Sequence, residues 1–169
     1  DLTKGFTQNV GGSWDAGGYD QSRIDLLKRM ANVIWSVDPQ SILILEHFAE
    51  NAEEKNLAEY GFMLWGNMNY QYNEATMGYN SNLSWGVHSE RGWPVPHLVS
   101  YMESHDEERL MFKNMAYGNA GPGGYDVTDF VTALKRMELA STFFLTLPGP
   151  KMIWQFGELG YEYSIFMCA

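Results

Sequence analysis

The chain has a single cysteine, Cys168, so no disulfide can form within it. No His/Cys cluster stands at metal-ligand spacing, and the sequence offers no metal site. No uninterrupted apolar run approaches the roughly 18 residues of a membrane-spanning helix. Positive charge is scarce: 11 Lys and Arg face 21 Asp and Glu, a formal net charge of −10. With no basic surplus to neutralise phosphate, nucleic acid is excluded as a partner, and so is an anionic membrane surface. A phosphate-cradling glycine loop is missing too, since Gly121-Pro122-Gly123-Gly124 follows no strand.

Aromatic residues are abundant. Six Trp, ten Tyr and nine Phe make up 15% of the 169 residues, and 45% of the chain is hydrophobic, a globular composition. Each ring serves either a dense core or a platform on which the apolar face of a sugar can lie. Loop-borne Trp and Tyr favour the second use.

The order of elements reads as α/β with a parallel sheet. Ser22 looks like an N-cap, followed by Ile24, Leu27, Ala31 and Ile34 at helical spacing up to Pro39. Ser41 to Glu46 is a short continuous apolar run, suited to a parallel strand buried on both faces. Asn51 to Tyr60 is helix-prone, with Glu50, Glu53 and Glu54 at the end where the helix dipole favours negative charge. Gly61 to Trp65 and His97 to Met102 are further strands. Residues 67–97 between them form a long aromatic-rich insertion with room for one helix in 69–78. Asp129 to Leu145 is the strongest helix, with Val131, Leu134, Met137, Leu139, Ala140 and Phe143 as its apolar positions, and Lys151 to Gln155 is a last strand.

Three carboxylates fall where strands of such a sheet would end: Asp1, Glu46 and Asp106. Breaking a glycosidic bond needs one carboxylate at the anomeric carbon and one protonated carboxyl at the leaving oxygen. An apolar strand before Glu46 would raise its pKa and suit it to the acid role. A carboxylate closing a strand can equally cap a helix or pair with His47. The His105-Asp106-Glu107-Glu108-Arg109 cluster reads either as a grip on vicinal sugar hydroxyls or as a surface turn with an Asp–Arg ion pair.

Four motifs together resemble one family. Asp1-Leu2-Thr3-Lys4-Gly5, Ile44-Leu45-Glu46, Tyr101 to Asp106, and Pro148 through Gly160 are similar, in order and spacing, to segments of the α-amylase superfamily, the family thirteen glycoside hydrolases. The resemblance implies a TIM (β/α)8 barrel, of which residues 1–169 would be a partial catalytic domain: the end of strand four, then strands five to eight, with 67–97 inserted between strands six and seven. It implies Asp1 as nucleophile, Glu46 as general acid/base, Asp106 as the third carboxylate, and His105 and Lys4 as sugar-binding residues. Gly5 stands where many members have His, and Ser104 where they have Asn.

The implied activity is retaining hydrolysis of α-1,4-glucans such as starch and maltooligosaccharides. A transglycosylase or isomerase of the same superfamily, or a non-catalytic carbohydrate-binding module, are the alternatives. No cofactor is identifiable, since the calcium sites of the family draw largely on the other half of the barrel. A chain that opens at its nucleophile is expected to be inactive alone and to self-associate through open sheet edges. Compartment is unreadable, with a secreted or periplasmic parent in keeping with the family.

Overall fold

A computed structural model of the chain describes residues 2–9 and 17–167. Asp1 and Cys168 therefore lie outside the described residues. The architecture is α/β. Among the described residues the α-helices and strands follow in the order α1 (Gln21–Val37), β1 (Ile44–Leu45), α2 (Asn51–Tyr60), β2 (Met63–Asn67), α3 (Asn69–Met77), β3 (Leu98–Tyr101), α4 (Leu110–Tyr117), α5 (Phe130–Thr146) and β4 (Lys151–Met152). The four strands form a sheet in the order β1-β2-β3-β4. The pairs β1–β2 and β3–β4 are parallel, with Ile44 opposite Met63 and Ser100 opposite Lys151.

The chain divides into two compact units. One runs to Gly66 and takes in Val87–Val99; the other holds Asn67–Gly86 and everything from Ser100 onward. Residues 67–97 are accordingly shared between the two, and they include α3 and a 3-10 turn at Ser84–Gly86. Of the aromatic residues in that stretch, Tyr72 and Trp93 are core, whereas Tyr70, Tyr79 and Trp85 are exposed.

In the first unit, Ile24, Leu27 and Ala31 of α1 meet Leu57 and Ala58 of α2, with Phe62, Leu64, Trp93 and Leu98 filling the space between. The N-cap of α1 is Asp20, not Ser22: its side chain accepts from the backbone N–H of Ser22 and Arg23. Hydrogen bonds from Thr7 and Ser22, larger together than the opposing effect of burial, hold the Asp20 carboxyl down to about 2. Helix α2 stops at Gly61, whose φ of +128° suits glycine and whose missing Cβ leaves room for the Trp35 ring at 3.0 Å. Trp35, Tyr60 and Phe62 close that end as a ring cluster, with Trp35 6.0 Å from each of the other two. Strand β1 differs from expectation: Ile42 and Ile44 are exposed while Leu45 is buried. It lies at an edge of the sheet and is covered on one face only.

In the second unit, Ala133, Met137, Ala140 and Phe144 form the buried face of α5, against Met68, Tyr72, Leu110 and Met111. Val131, Leu139 and Phe143, expected as core, are exposed. Two alanines on the inner face let α5 approach closely, and Phe144 meets Tyr72 edge-on at 5.7 Å. Arg136 of α5 donates from Nε to the Thr76 carbonyl at 3.0 Å, serving the unsatisfied end of α3. Helix α4 has no cap of its own; Glu103, seven residues upstream of Leu110, accepts from its N–H at 2.7 Å.

Glu53 and Glu54, expected at the start of α2 where the helix dipole favours negative charge, stand there and are buried. Glu54 faces Arg91, whose Nη1 stands 3.4 Å from Oε2, while Oε1 has no hydrogen-bond partner among the described residues. Burial outweighs the attraction of Arg91 and pushes the Glu54 carboxyl up to about 7. The folded state therefore binds this proton more tightly than the unfolded chain, and stability falls as pH rises from the ordinary carboxylate range to about 7. The expected loss from this group is on the order of 3 kcal/mol. Urea unfolding at pH 5, 6.5 and 8 should show that slope in the wild type and a flatter one in Glu54→Gln; identical slopes would contradict the assignment.

Candidate functional site

In the first unit a chain of buried polar groups leads from helix α2 to the start of the sequence. Arg23 donates from Nε to Glu53 Oε1 at 2.6 Å and from Nη2 to Oε2 at 2.8 Å, a bidentate pair with both side chains fully buried. The Asp20 N–H also reaches Oε2, at 2.8 Å. Burial alone would raise the Glu53 carboxyl, but the hydrogen bonds from His47, Arg23 and Asp20, with the charge of His47, hold it below the usual carboxylate range. An ionised carboxylate only accepts, so His47 Nε2, 2.8 Å from Oε1, carries a proton.

The other ring nitrogen of His47 lies 2.8 Å from Thr3 Oγ1. Thr3 in turn donates to the Glu46 carbonyl twice, from its backbone N–H at 2.7 Å and from Oγ1 at 3.0 Å. All these bonds are made at once when both imidazole nitrogens donate and the Thr3 hydroxyl proton goes to Glu46 O. Arg23 completes the anchorage by donating from Nη1 to the Lys4 carbonyl at 2.6 Å. Thr3, two residues after Asp1, is thus buried and pinned beside the backbone of Glu46. Asp1 itself lies outside the described residues. Lys4 is half-buried. Glu46, directly after β1, is half-buried too, so the dehydrated setting expected for it is not found.

The second unit carries His105 and Asp106, four and five residues beyond the end of β3. Asp106 is 70% exposed, and its Oδ2 lies 3.4 Å from His105 Nε2. The loop that presents them is fixed from below. Asn69, first residue of α3, donates from its side-chain amide to the carbonyls of Met102 and Glu108 at 2.9 and 2.8 Å. Ser104 is buried, donates to Glu107, and accepts from the Asp106 N–H at 3.3 Å. Glu107 also takes the Tyr101 hydroxyl at 3.2 Å and the side-chain amide of Asn67.

Arg109 does not close a surface turn onto Asp106. It is buried, 3.7 Å from Glu103, donates to the Gln155 carbonyl at 3.0 Å, and lies 4.8 Å from the centre of the Tyr161 ring. Burial pushes the Glu103 carboxyl above its ordinary range, against the pull of the Leu110 N–H and of Arg109. Glu108 accepts from Ser164 Oγ at 2.6 Å and from the Ile165 N–H at 3.2 Å. The charged run after His105 and Asp106 is therefore a frame for residues 155–165. Above it opens a cleft of ≈ 880 Å³, lined by His105, Trp154, Gln155, Tyr161 and Tyr163 among others, with the His105 and Trp154 rings 6.0 Å apart.

The expected site residues are thus divided: Lys4 and Glu46 belong to the first unit, His105 and Asp106 to the second. Sequence reasoning missed Thr3, His47, Glu53 and Arg23 as a linked set, and Trp154, Tyr161 and Tyr163 as cleft walls. The aromatic surplus was the one signal that pointed to the latter.

No protein-family model matches the chain, and the comparison with curated proteins gives no match.

Removing one partner of a buried ion pair leaves the other uncompensated, which costs roughly 3–5 kcal/mol. Arg23→Met is expected to lose that much in urea unfolding. A loss below about 1 kcal/mol, typical of an exposed pair, would contradict the buried chain.

Proposed function

We infer that this chain is the second half of a (β/α)8 barrel and belongs to a retaining α-glycoside hydrolase acting on α-1,4-glucans. One observation supports the reading above others: the strands lie in sequential order, β1-β2-β3-β4, and polar side chains follow their C-terminal ends. Strand order in a barrel is sequential, whereas a doubly wound nucleotide fold reverses at a switch point. The C-terminal ends of barrel strands are where catalytic side chains sit. Glu46 follows β1, Asn67 ends β2, His105-Asp106 follow β3, and Trp154-Gln155 follow β4.

In this reading the Asp1 carboxylate attacks the anomeric carbon as the glycosidic C–O bond breaks, and Glu46 gives its proton to the departing oxygen. Water then attacks the glycosyl-aspartate, Glu46 takes back a proton, and Asp1 is released as carboxylate. The double inversion yields the α-anomer. Asp106 and His105 hold hydroxyls of the sugar being cleaved, their exposure leaving them open to it. Lys4 lies on the leaving-group side. The burial of Thr3 and its two bonds to Glu46 O keep the segment after Asp1 in register with the strand end that bears the acid.

Maltoheptaose hydrolysis by the complete barrel to which this half would belong, followed by proton NMR, tests the proposal; the half alone is expected to be inactive. The first product should be the α-anomer, and Glu46→Gln should lower kcat by about 10²–10⁴-fold, the span of general acid–base contributions. A β-anomer as first product would refute retention. Transfer products without net hydrolysis would favour a transglycosylase, and binding without turnover a carbohydrate-binding module.

A further inference from the structure

The second unit places more aromatic surface around its cleft than a single sugar held by His105 and Asp106 would use. Tyr161 and Tyr163 pack ring to ring with centroids 5.3 Å apart, and Phe156 lies 5.6 Å from Tyr161. Tyr163 is 65% exposed and Tyr161 is exposed as well, yet neither belongs to a loose segment. Glu108 fixes Ser164 and Ile165, while Arg109 fixes Gln155 and lies against the Tyr161 ring. Both clamps come from the two residues after Glu107, in the same loop that carries His105 and Asp106. Tyr163, the more exposed of the two rings and held by these clamps, presents a pre-ordered apolar surface at little entropic cost on binding.

We propose that Tyr161 and Tyr163 form a stacking platform for a further glucosyl unit of an α-glucan chain, making the cleft selective for longer oligosaccharides. The proposal rests on the glycosidase reading for the identity of the chain and adds to it the residues that set chain-length preference. The cleft, ≈ 880 Å³, is near the upper end of the range for ligand sites, well beyond what one sugar fills. His105 and Trp154 line the same cleft, which puts a polar grip and a stacking surface on one bound chain. Pyranose C–H faces lie against aromatic rings, so an exposed ring offers a sugar an apolar seat.

Tyr163→Ala and Tyr163→Phe, compared with wild type by calorimetric titration of maltose and of maltohexaose, provide the test. Tyr163 is exposed, so both variants should keep the wild-type unfolding midpoint. Tyr163→Ala should bind maltohexaose about tenfold more weakly, with maltose unchanged. Tyr163→Phe, which keeps the ring and loses the hydroxyl, should match wild type. Unchanged maltohexaose affinity in Tyr163→Ala would overturn the platform while leaving the glycosidase reading intact. An equal loss for both sugars would overturn the chain-length role. Failure of wild type to bind either sugar would overturn both the platform and the reading beneath it.

Discussion

Glu53 is fully buried and ionised, and the first unit is arranged around keeping it so. A carboxylate in such a place survives only if its lone pairs are met, and four donors meet them: two from Arg23, one from His47 and the backbone N–H of Asp20. Each partner is thereby tied to a different part of the chain. Arg23 brings helix α1 and the Lys4 carbonyl, Asp20 brings the N-cap of α1, and His47 brings Thr3 and the end of β1. Removing the charge at Glu53 would release all of them together. The segment next to Asp1 owes its place to a side chain on α2.

The second unit uses the same device in a different form. Four consecutive acidic or basic residues after β3, from Asp106 to Arg109, divide their work: Asp106 faces solvent, Glu107 braces the loop, and Glu108 and Arg109 hold residues 155–165. Ser104, itself buried, contributes through its small size and hydroxyl, donating to Glu107 and accepting from the Asp106 N–H. A rigid strand-end loop with exposed polar tips and aromatic walls suits ligands that are polar at the edge and apolar on the face, as sugars are.

Much of the fold was legible in the sequence because its signals are local. Three of the four strands fall within the apolar runs that suggested them and β2 runs two residues past Trp65 to Asn67; α2 has the limits expected, and α5 begins just after the expected Asp129, its N-cap. What was not legible depends on partners far along the chain. Helix α4 escaped because its N-terminus is served by Glu103 and not by a capping residue beside it. The buried face of α5 was misread because the helix carries apolar residues all round, and only its two inward alanines mark the packed side. The burial of Glu53 and Glu54 left no local sign, since their partners Arg23 and Arg91 lie 30 and 37 residues away. Of the candidate site, the strand-end residues were readable from motif and spacing. The supports beneath them, Thr3–His47 and Glu108–Ser164 among them, span 44 and 56 residues and leave no local trace.

The proposed mechanism is covalent: glycosidic cleavage would pass through a glycosyl ester on Asp1. A fluorinated α-glucosyl fluoride, which reacts in the first displacement and stalls before the second, tests it most directly. After incubation of the complete barrel and proteolysis, mass spectrometry should find one glycosyl unit on the peptide that contains Asp1, attached at Asp1, with fluoride released in equal amount. An unlabelled protein, or a label on Glu46 or Asp106, would contradict the account.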